Sequence, residues 1–256
     1  MSYLPEIFSF LFGLCIGSFL NVCIYRLPVS KSIVHPRSMC PHCGSFIDFY
    51  DNIPILSYLW IKGRCRHCRT PIPFRYPVVE FLGGLFALGT YLKFGFTFEA
   101  ILYYAFIATL LVITFIDIDH QIIPDIITLS GIPLCFAASF FLPTVNYIDS
   151  LIGILTGGGS LFLVAWIYNV ITKKEGMGGG DIKLLAMIGA VVGWQGVLFT
   201  IFVASAVGTL SGLAVILQAR KSLKLAVPFG PFLSIGSIAY IFFGPELVRW
   251  YFNLLS

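Results

Sequence analysis

Gly176-Met177-Gly178-Gly179-Gly180-Asp181 sets one carboxylate behind four glycines, where a polar loop runs into a long apolar segment. Glycine lets the backbone bend and approach another chain closely. An acid at the mouth of an apolar segment is costly unless it is used. A second acidic stretch, Phe115-Ile116-Asp117-Ile118-Asp119-His120-Gln121-Ile122-Ile123-Pro124-Asp125, joins two other apolar segments. Paired carboxylates around one water can hydrolyse a peptide. Held close together they do not both ionise, so one takes a proton from the attacking water. The other, protonated, polarises the carbonyl and assists the leaving amine. Plainer readings stand beside this one. Asp181 could be a helix N-cap, since acids favour helix starts. Asp125 follows Pro124 and precedes an apolar run, which fits an N-cap better than a catalyst. Asp119 and His120 could belong to a solvated loop. Spacing alone does not choose between Asp117 and Asp119.

Four of the seven cysteines form the second constellation. Cys40-Pro41-His42-Cys43 and Cys65-Arg66-His67-Cys68 are two Cys-x-x-Cys pairs separated by 21 residues. Each pair offers two thiolates to one tetrahedral ion, and four thiolates leave no open coordination position. The expectation is therefore a structural zinc on Cys40, Cys43, Cys65 and Cys68. His42 and His67 are the alternative donors. Cys15, Cys23 and Cys135 lie in apolar stretches and read as packing thiols.

Composition dictates what must position these groups. The chain has 256 residues, 58% hydrophobic and only 11% charged, against about 25% charged in soluble domains. This is the profile of a polytopic membrane protein, and no nucleic-acid partner is expected. The first apolar stretch lacks a basic n-region and runs straight into Asn21-Val22-Cys23-Ile24-Tyr25-Arg26, so no cleavable signal peptide is expected. Apolar runs predict helices over about 5–25, 76–92, 98–116, 126–142 and 150–171. Residues 184–217 carry no charge and would make a helix of about 51 Å. That is too long for one crossing. Gly193-Trp194-Gln195-Gly196 is the expected turn, giving a short span over 181–193 and another over 197–218. Pro228-Phe229-Gly230-Pro231 opens the last span, to about 248. The expected fold is all-α, with about eight transmembrane helices and a small zinc-binding insert between the first and second. Its parts are a first helix over 1–25, the insert over 26–75 and a membrane core over 76–256.

Charge orients this plan. With eight spans, fourteen of the sixteen Lys and Arg fall on one side, among them Arg26, Arg37, Arg64, Lys174, Lys183, Arg220, Lys221 and Lys224. Lys93 and Arg249 remain on the other. Positive charge stays in the cytoplasm, so the insert and both acidic loops are expected there, with both termini outside. Two polar residues lie within apolar runs: Asn21 at the end of the first span and Glu80 just inside the second. Intramembrane polar groups are functional by default. Glu80 could instead pair with Arg75 or reach water.

Together these residues resemble the type IV prepilin peptidase family, the leader peptidases of bacterial pilus and type II secretion systems, over nearly the whole chain. The likeness rests on Gly17-Ser18-Phe19-Leu20-Asn21-Val22 with Tyr25-Arg26-Leu27-Pro28, both cysteine pairs, and Ile53-Pro54-Ile55-Leu56-Ser57-Tyr58. Arg75-Tyr76-Pro77 with Glu80, the Asp117 stretch, Gly176 to Leu184, and Pro228-Phe229-Gly230-Pro231 complete it. The resemblance implies a Gly-x-Gly-Asp type intramembrane aspartyl protease with Asp117 and Asp181 as catalytic pair. Gly178, Gly180, Lys183, Glu80 and Asn21 are candidate supporting residues. It further implies cleavage of a short basic leader from prepilins or pseudopilins, followed by N-methylation of the new terminus with S-adenosylmethionine. The expected location is the bacterial inner membrane, with pilus or secretion assembly components as neighbours. A peptidase without methyl transfer is the first alternative, because the insert carries no Gly-x-Gly-x-x-Gly cofactor loop. A non-enzymatic transporter or scaffold is the second; it would spread its acids through the membrane thickness instead of gathering them at one end.

Overall fold

A computed structural model of the chain describes residues 3–173, 178–219 and 228–255. Gly176 and Met177 of the glycine loop lie outside the described residues, as do Lys174, Arg220, Lys221 and Lys224 of the charge count. Among the described residues there are helices and two isolated β-bridges, with no strand. Two compact units meet in the sequence at Val112 and Ile113.

The first unit is built on α1 (Leu4–Arg26), α3 (Arg75–Phe94) and the greater part of α4 (Phe98–His120). Pro5 sits in the first turn of α1, where a missing N–H is harmless. Lipid offers helices no hydrophobic reason to associate, so close backbone approach and interhelical hydrogen bonds must do it. Gly13 and Gly17 of α1 meet Gly83 and Gly84 of α3; a Cβ on Gly17 would stand 2.6 Å from Glu80 Cα. Ser9 Oγ donates to Ala87 O at 3.1 Å, and Tyr104 Oη on α4 donates to Gly83 O at 3.3 Å.

Between α1 and α3 lies the insert. Buried Arg26 ends α1 and donates to Ser32 O (2.9 Å) and Pro36 O (2.7 Å), folding the chain back at once. The insert's only α-helix is α2 (Leu56–Trp60). It starts from a strained turn. Ile55 has φ 60° and ψ −49°, and Leu56 N–H donates to Pro54 O at 2.6 Å. This is a γ-turn of the rare positive-φ kind, unfavourable for a β-branched residue.

The second unit holds the end of α4, then α5 (Asp125–Ser139), α6 (Tyr147–Thr172), α7 (Gly179–Ala219) and α8 (Gly230–Leu255). Asn146 caps α6 by accepting from Ile148 N–H and Asp149 N–H, both at 2.9 Å. α6 packs on α7 through Gly153 and Gly157, and Ser150 Oγ donates to Ala190 O at 2.7 Å. α7 also contacts α5 and α8.

Each apolar run read from the sequence is helical. The break in the long uncharged run falls at Gly193 alone, with φ 69° and ψ 178°; Trp194 already continues the helix. A single glycine suffices because it reaches positive φ without a Cβ clash. Among the described residues, five helices are long and apolar enough to cross a membrane, the broken α7 counted once. α5, with 15 residues, spans about 22 Å, short of the roughly 30 Å hydrocarbon layer. Leu11, Phe12, Phe162 and Leu198 face outward, as they would toward lipid. Cys15 also faces outward and is not a buried packing thiol; Cys23 is buried and Cys135 half-buried.

Candidate functional site

In the second unit the acids are sorted by their place on the helices. Asp117 lies in the last turn of α4 and is 5% exposed. Two residues on, Asp119 is exposed, since it points to another side of the same helix. Asp117 Oδ2 accepts the N–H of Gly230 at 3.1 Å. Gly230 is the first residue of α8, whose opening N–H groups have no partner within the helix. A Cβ there would stand 2.6 Å from Asp117 Oδ2, so only glycine brings the backbone this close.

Asp181 is half-buried in the first turn of α7, next to Gly180. Ile123 bridges the two places: a Cβ on Gly180 would be 2.9 Å from Ile123 Cβ, and one on Gly230 would be 3.3 Å from Ile123 Cδ1. Gly180, the neighbour of Asp181, and Gly230, the donor to Asp117, therefore both pack on Ile123, which follows the end of α4. Gly178 stands in open space beside this turn.

Asp125 is not an N-cap. It is the first residue of α5, and Pro124 holds the cap position before it. Instead, Lys183 Nζ donates to both its oxygens at 2.7 and 2.8 Å. This pair ties the first turn of α5 to the first turn of α7. An exposed pair of this kind contributes at most about 1 kcal/mol, so its use is positional. Lys183 is thus a frame residue beside Asp181.

In the first unit the two cysteine pairs adopt one geometry twice. Cys40 N–H donates to Ser45 O, and Cys65 N–H to Thr70 O, both at 2.9 Å. Bridges Met39–Phe46 and Arg64–Pro71 flank them. Gly44 (φ 69°) and Arg69 (φ 60°) hold equivalent positions. The four sulfurs lie within 4.8 Å of one another, and Cys40 Sγ is 3.8 Å from Cys68 Sγ. A tetrahedron with Zn–S bonds of about 2.3 Å has edges of about 3.8 Å, so the cage has the size zinc needs. It is far too wide for a disulfide, whose S–S bond is about 2.05 Å.

Ser45 and Thr70 were not singled out from the sequence, although they repeat at the same offset from each cysteine pair. Ser45 Oγ lies 3.3 Å from Cys43 Sγ, and Thr70 Oγ1 lies 3.2 Å from Cys68 Sγ. The Thr70 hydroxyl pulls the Cys68 thiol down to about 6, toward the thiolate a metal requires. Arg66, inside the second pair, binds both oxygens of Asp51 at 2.7 and 2.5 Å. That contact locks the second turn against the segment before α2.

Glu80 and Asn21 are both more than nine-tenths buried, at 8% and 4% exposure. Glu80 Oε2 accepts the Ile55 N–H at 2.7 Å, which is what holds the strained γ-turn in place. Asn21 Nδ2 donates to Tyr76 O at 3.0 Å.

An all-helical, multi-pass membrane protein with carboxylates at helix ends and a four-cysteine cage is a narrow class. Comparison with known proteins gives the family. The model of the bacterial peptidase A24 N-terminal domain matches residues 11–94, and that of the type IV leader peptidase family matches residues 104–213. The chain is similar to a protein of Aeromonas hydrophila named prepilin leader peptidase/N-methyltransferase, 36% identical over 94% of this chain and 92% of that one. Proteins of the same name from Pseudomonas aeruginosa (36%, over 95% of this chain and 92% of that one) and Burkholderia pseudomallei strain 1026b (34%, over 93% and 85%) are also similar. No solved structure matches the chain. The chain belongs to the type IV leader peptidase family.

Proposed function

We propose that this chain cleaves the basic leader from type IV prepilins or pseudopilins with Asp117 and Asp181, then N-methylates the new terminus. The observation that carries the reading is that Gly230, the donor to Asp117, and Gly180, the neighbour of Asp181, both pack on Ile123, in a chain related over nearly its full length to proteins of that name. A prepilin carries an apolar helix behind a charged leader, so its scissile bond lies at the membrane surface, where water is available. One carboxylate takes a proton from water as its oxygen attacks the peptide carbonyl carbon. The other, protonated, gives its proton to the carbonyl oxygen. Collapse of the tetrahedral adduct breaks the C–N bond: the departing nitrogen receives the proton taken from water, and the acid that protonated the carbonyl oxygen takes a hydroxyl proton back as it polarises the re-forming carbonyl and so assists that departure. Gly230 N–H fixes Asp117 throughout, and the Asp125–Lys183 pair fixes the turn that carries Asp181.

S-adenosylmethionine, when bound, would supply the methyl group that the new N-terminal amine receives. Zinc is held by Cys40, Cys43, Cys65 and Cys68 in a closed, structural site. The chain crosses the bacterial inner membrane about eight times, its insert and acids facing the cytoplasm, as the fourteen clustered cations support. The divisions 1–25, 26–75 and 76–256 describe first helix, insert and peptidase core. Pilus or secretion assembly components are its neighbours.

The test uses the purified full chain, a prepilin and methyl-labelled S-adenosylmethionine. The expected product is the shortened protein with label on its N-terminal amine. Cleavage without label would remove the methyl-transfer half; no cleavage would remove the whole reading. Gly230→Ala sharpens it. The added Cβ must push Asp117 Oδ2 away from 2.6 Å, and a displacement near 1 Å costs about a hundredfold in rate. Cleavage should fall by about that factor while the protein still inserts. A rate within a factor of two of wild type would show that the Gly230 contact does not position Asp117.

A further inference from the structure

The first unit contains a cavity of about 250 Å³, near the lower bound of about 300 Å³ for small-molecule sites. It opens between the end of α1, the start of α3 and the two cysteine turns. Three of its lining side chains are deeply buried and polar: Asn21, Glu80 and Arg26, whose guanidinium is already held by the Ser32 and Pro36 carbonyls. Asn21 is oriented by its own hydrogen bonds, because Nδ2 donates to Tyr76 O (3.0 Å) and Gly17 O (3.4 Å). Its Oδ1 is therefore the atom left over, and among the described residues it has no partner. A buried acceptor left unpaired costs about 1–3 kcal/mol, so a donor is wanted there. Glu80 brings a carboxylate to the same wall. Tyr25, Tyr58 and Tyr76 add aromatic surface, which suits a flat ring or a cation lying over a face.

We propose that this cavity is the S-adenosylmethionine site, with Asn21 Oδ1 accepting an N–H of the ligand and Glu80 standing opposite its charge. The inference rests on the methyl-transfer reading above. S-adenosylmethionine fits the cavity's chemistry on three counts: N–H donors, a flat adenine, and a sulfonium. Its ammonium and carboxylate cancel, so the sulfonium is its uncompensated charge. S-adenosylhomocysteine has the same shape without that charge. A buried carboxylate beside tyrosine faces should therefore prefer the methyl donor to its spent product, which favours turnover.

The experiment measures binding, not catalysis. Full-length protein in nanodiscs is titrated with labelled S-adenosylmethionine and, separately, with S-adenosylhomocysteine. Glu80→Gln keeps an acceptor for the Ile55 N–H and removes only the charge. It should weaken S-adenosylmethionine about tenfold and S-adenosylhomocysteine far less, so that the preference between them collapses. Asn21→Leu should weaken both about tenfold by removing the acceptor. Equal losses for both ligands in Glu80→Gln would refute the counter-charge. Wild-type affinity in both variants, with the wild-type chain binding normally, would overturn the site while leaving methyl transfer standing. A wild-type chain that neither binds the ligand nor transfers its methyl group would defeat the underlying reading instead.

Discussion

Asp117→Asn is expected to reduce leader cleavage by about a thousandfold or more, and Asp181→Asn by a similar factor. Asparagine has nearly the same shape, and its Oδ1 can still accept the Gly230 N–H that Asp117 accepts now at 3.1 Å. What it lacks is a carboxyl group that can take up and release a proton. Positioned acid–base groups contribute about 10²–10⁴ each, and two groups that share one water fail together. The double variant should therefore be scarcely worse than either single one. Asp119 provides the contrast. It lies two residues from Asp117 but is exposed, and Asp119→Asn should stay within about threefold of wild type, a surface effect of the ordinary size. The measurement is the rate of prepilin shortening by protein of verified membrane insertion. Unimpaired cleavage in both Asp117→Asn and Asp181→Asn would refute the catalytic pair.

Much of this arrangement can be read along the chain because its causes are local. A run of apolar residues in lipid has only the helix to satisfy its backbone, so α1, α3, α4, α6 and α7 fall close to where hydropathy puts them. Gly193 marks its own break for the same reason: the residue type states the conformation. The thiolate cage is legible too, since Cys-x-x-Cys spacing is set by the turn that holds it. What escapes is long-range. Asp125 reads locally as a cap, yet its partner Lys183 is 58 positions away. The donor to Asp117 is 113 positions away, at the head of α8. Nothing near Asp117 announces Gly230, though a glycine just inside Pro228-Phe229-Gly230-Pro231 is the residue type such an approach demands. Glu80 escapes in a subtler way. An acid near a helix start suggests an ion pair or a route to water, and the structure makes it the anchor of a strained turn at Ile55. Strain of that order, about 1–3 kcal/mol, persists only where surrounding contacts enforce it.

Removing the metal should have the second-largest effect, and it should be confined in kind. Cys65→Ser takes one thiolate from a cage whose sulfurs lie within 4.8 Å of one another. A serine hydroxyl does not ionise near neutral pH and is a poor zinc ligand, so zinc should fall from one per chain to nearly none. Metal binding supplies about 10–16 kcal/mol in small zinc domains. The insert has few other resources: it contains no strand, one five-residue α-helix and two single 3-10 turns, and Phe49, Leu56, Leu59 and Trp60 are exposed on it. Loss of zinc should thus unfold both cysteine turns, read as protease sensitivity between residues 38 and 73 in the variant or after chelation. Cys40 and Cys65 also line the first unit's cavity, so S-adenosylmethionine binding should vanish with the metal and return when zinc is restored to chelated wild type. Thr70→Ala is the graded version. It removes the hydroxyl 3.2 Å from Cys68 Sγ that holds this thiol near 6, and second-layer contacts of this type are worth about 10–100-fold in metal affinity. Zinc competition against a chelator should show that loss without unfolding the insert. Full zinc content in Cys65→Ser would mean that His42 or His67 completes the site, and the four-thiolate assignment would have to be withdrawn.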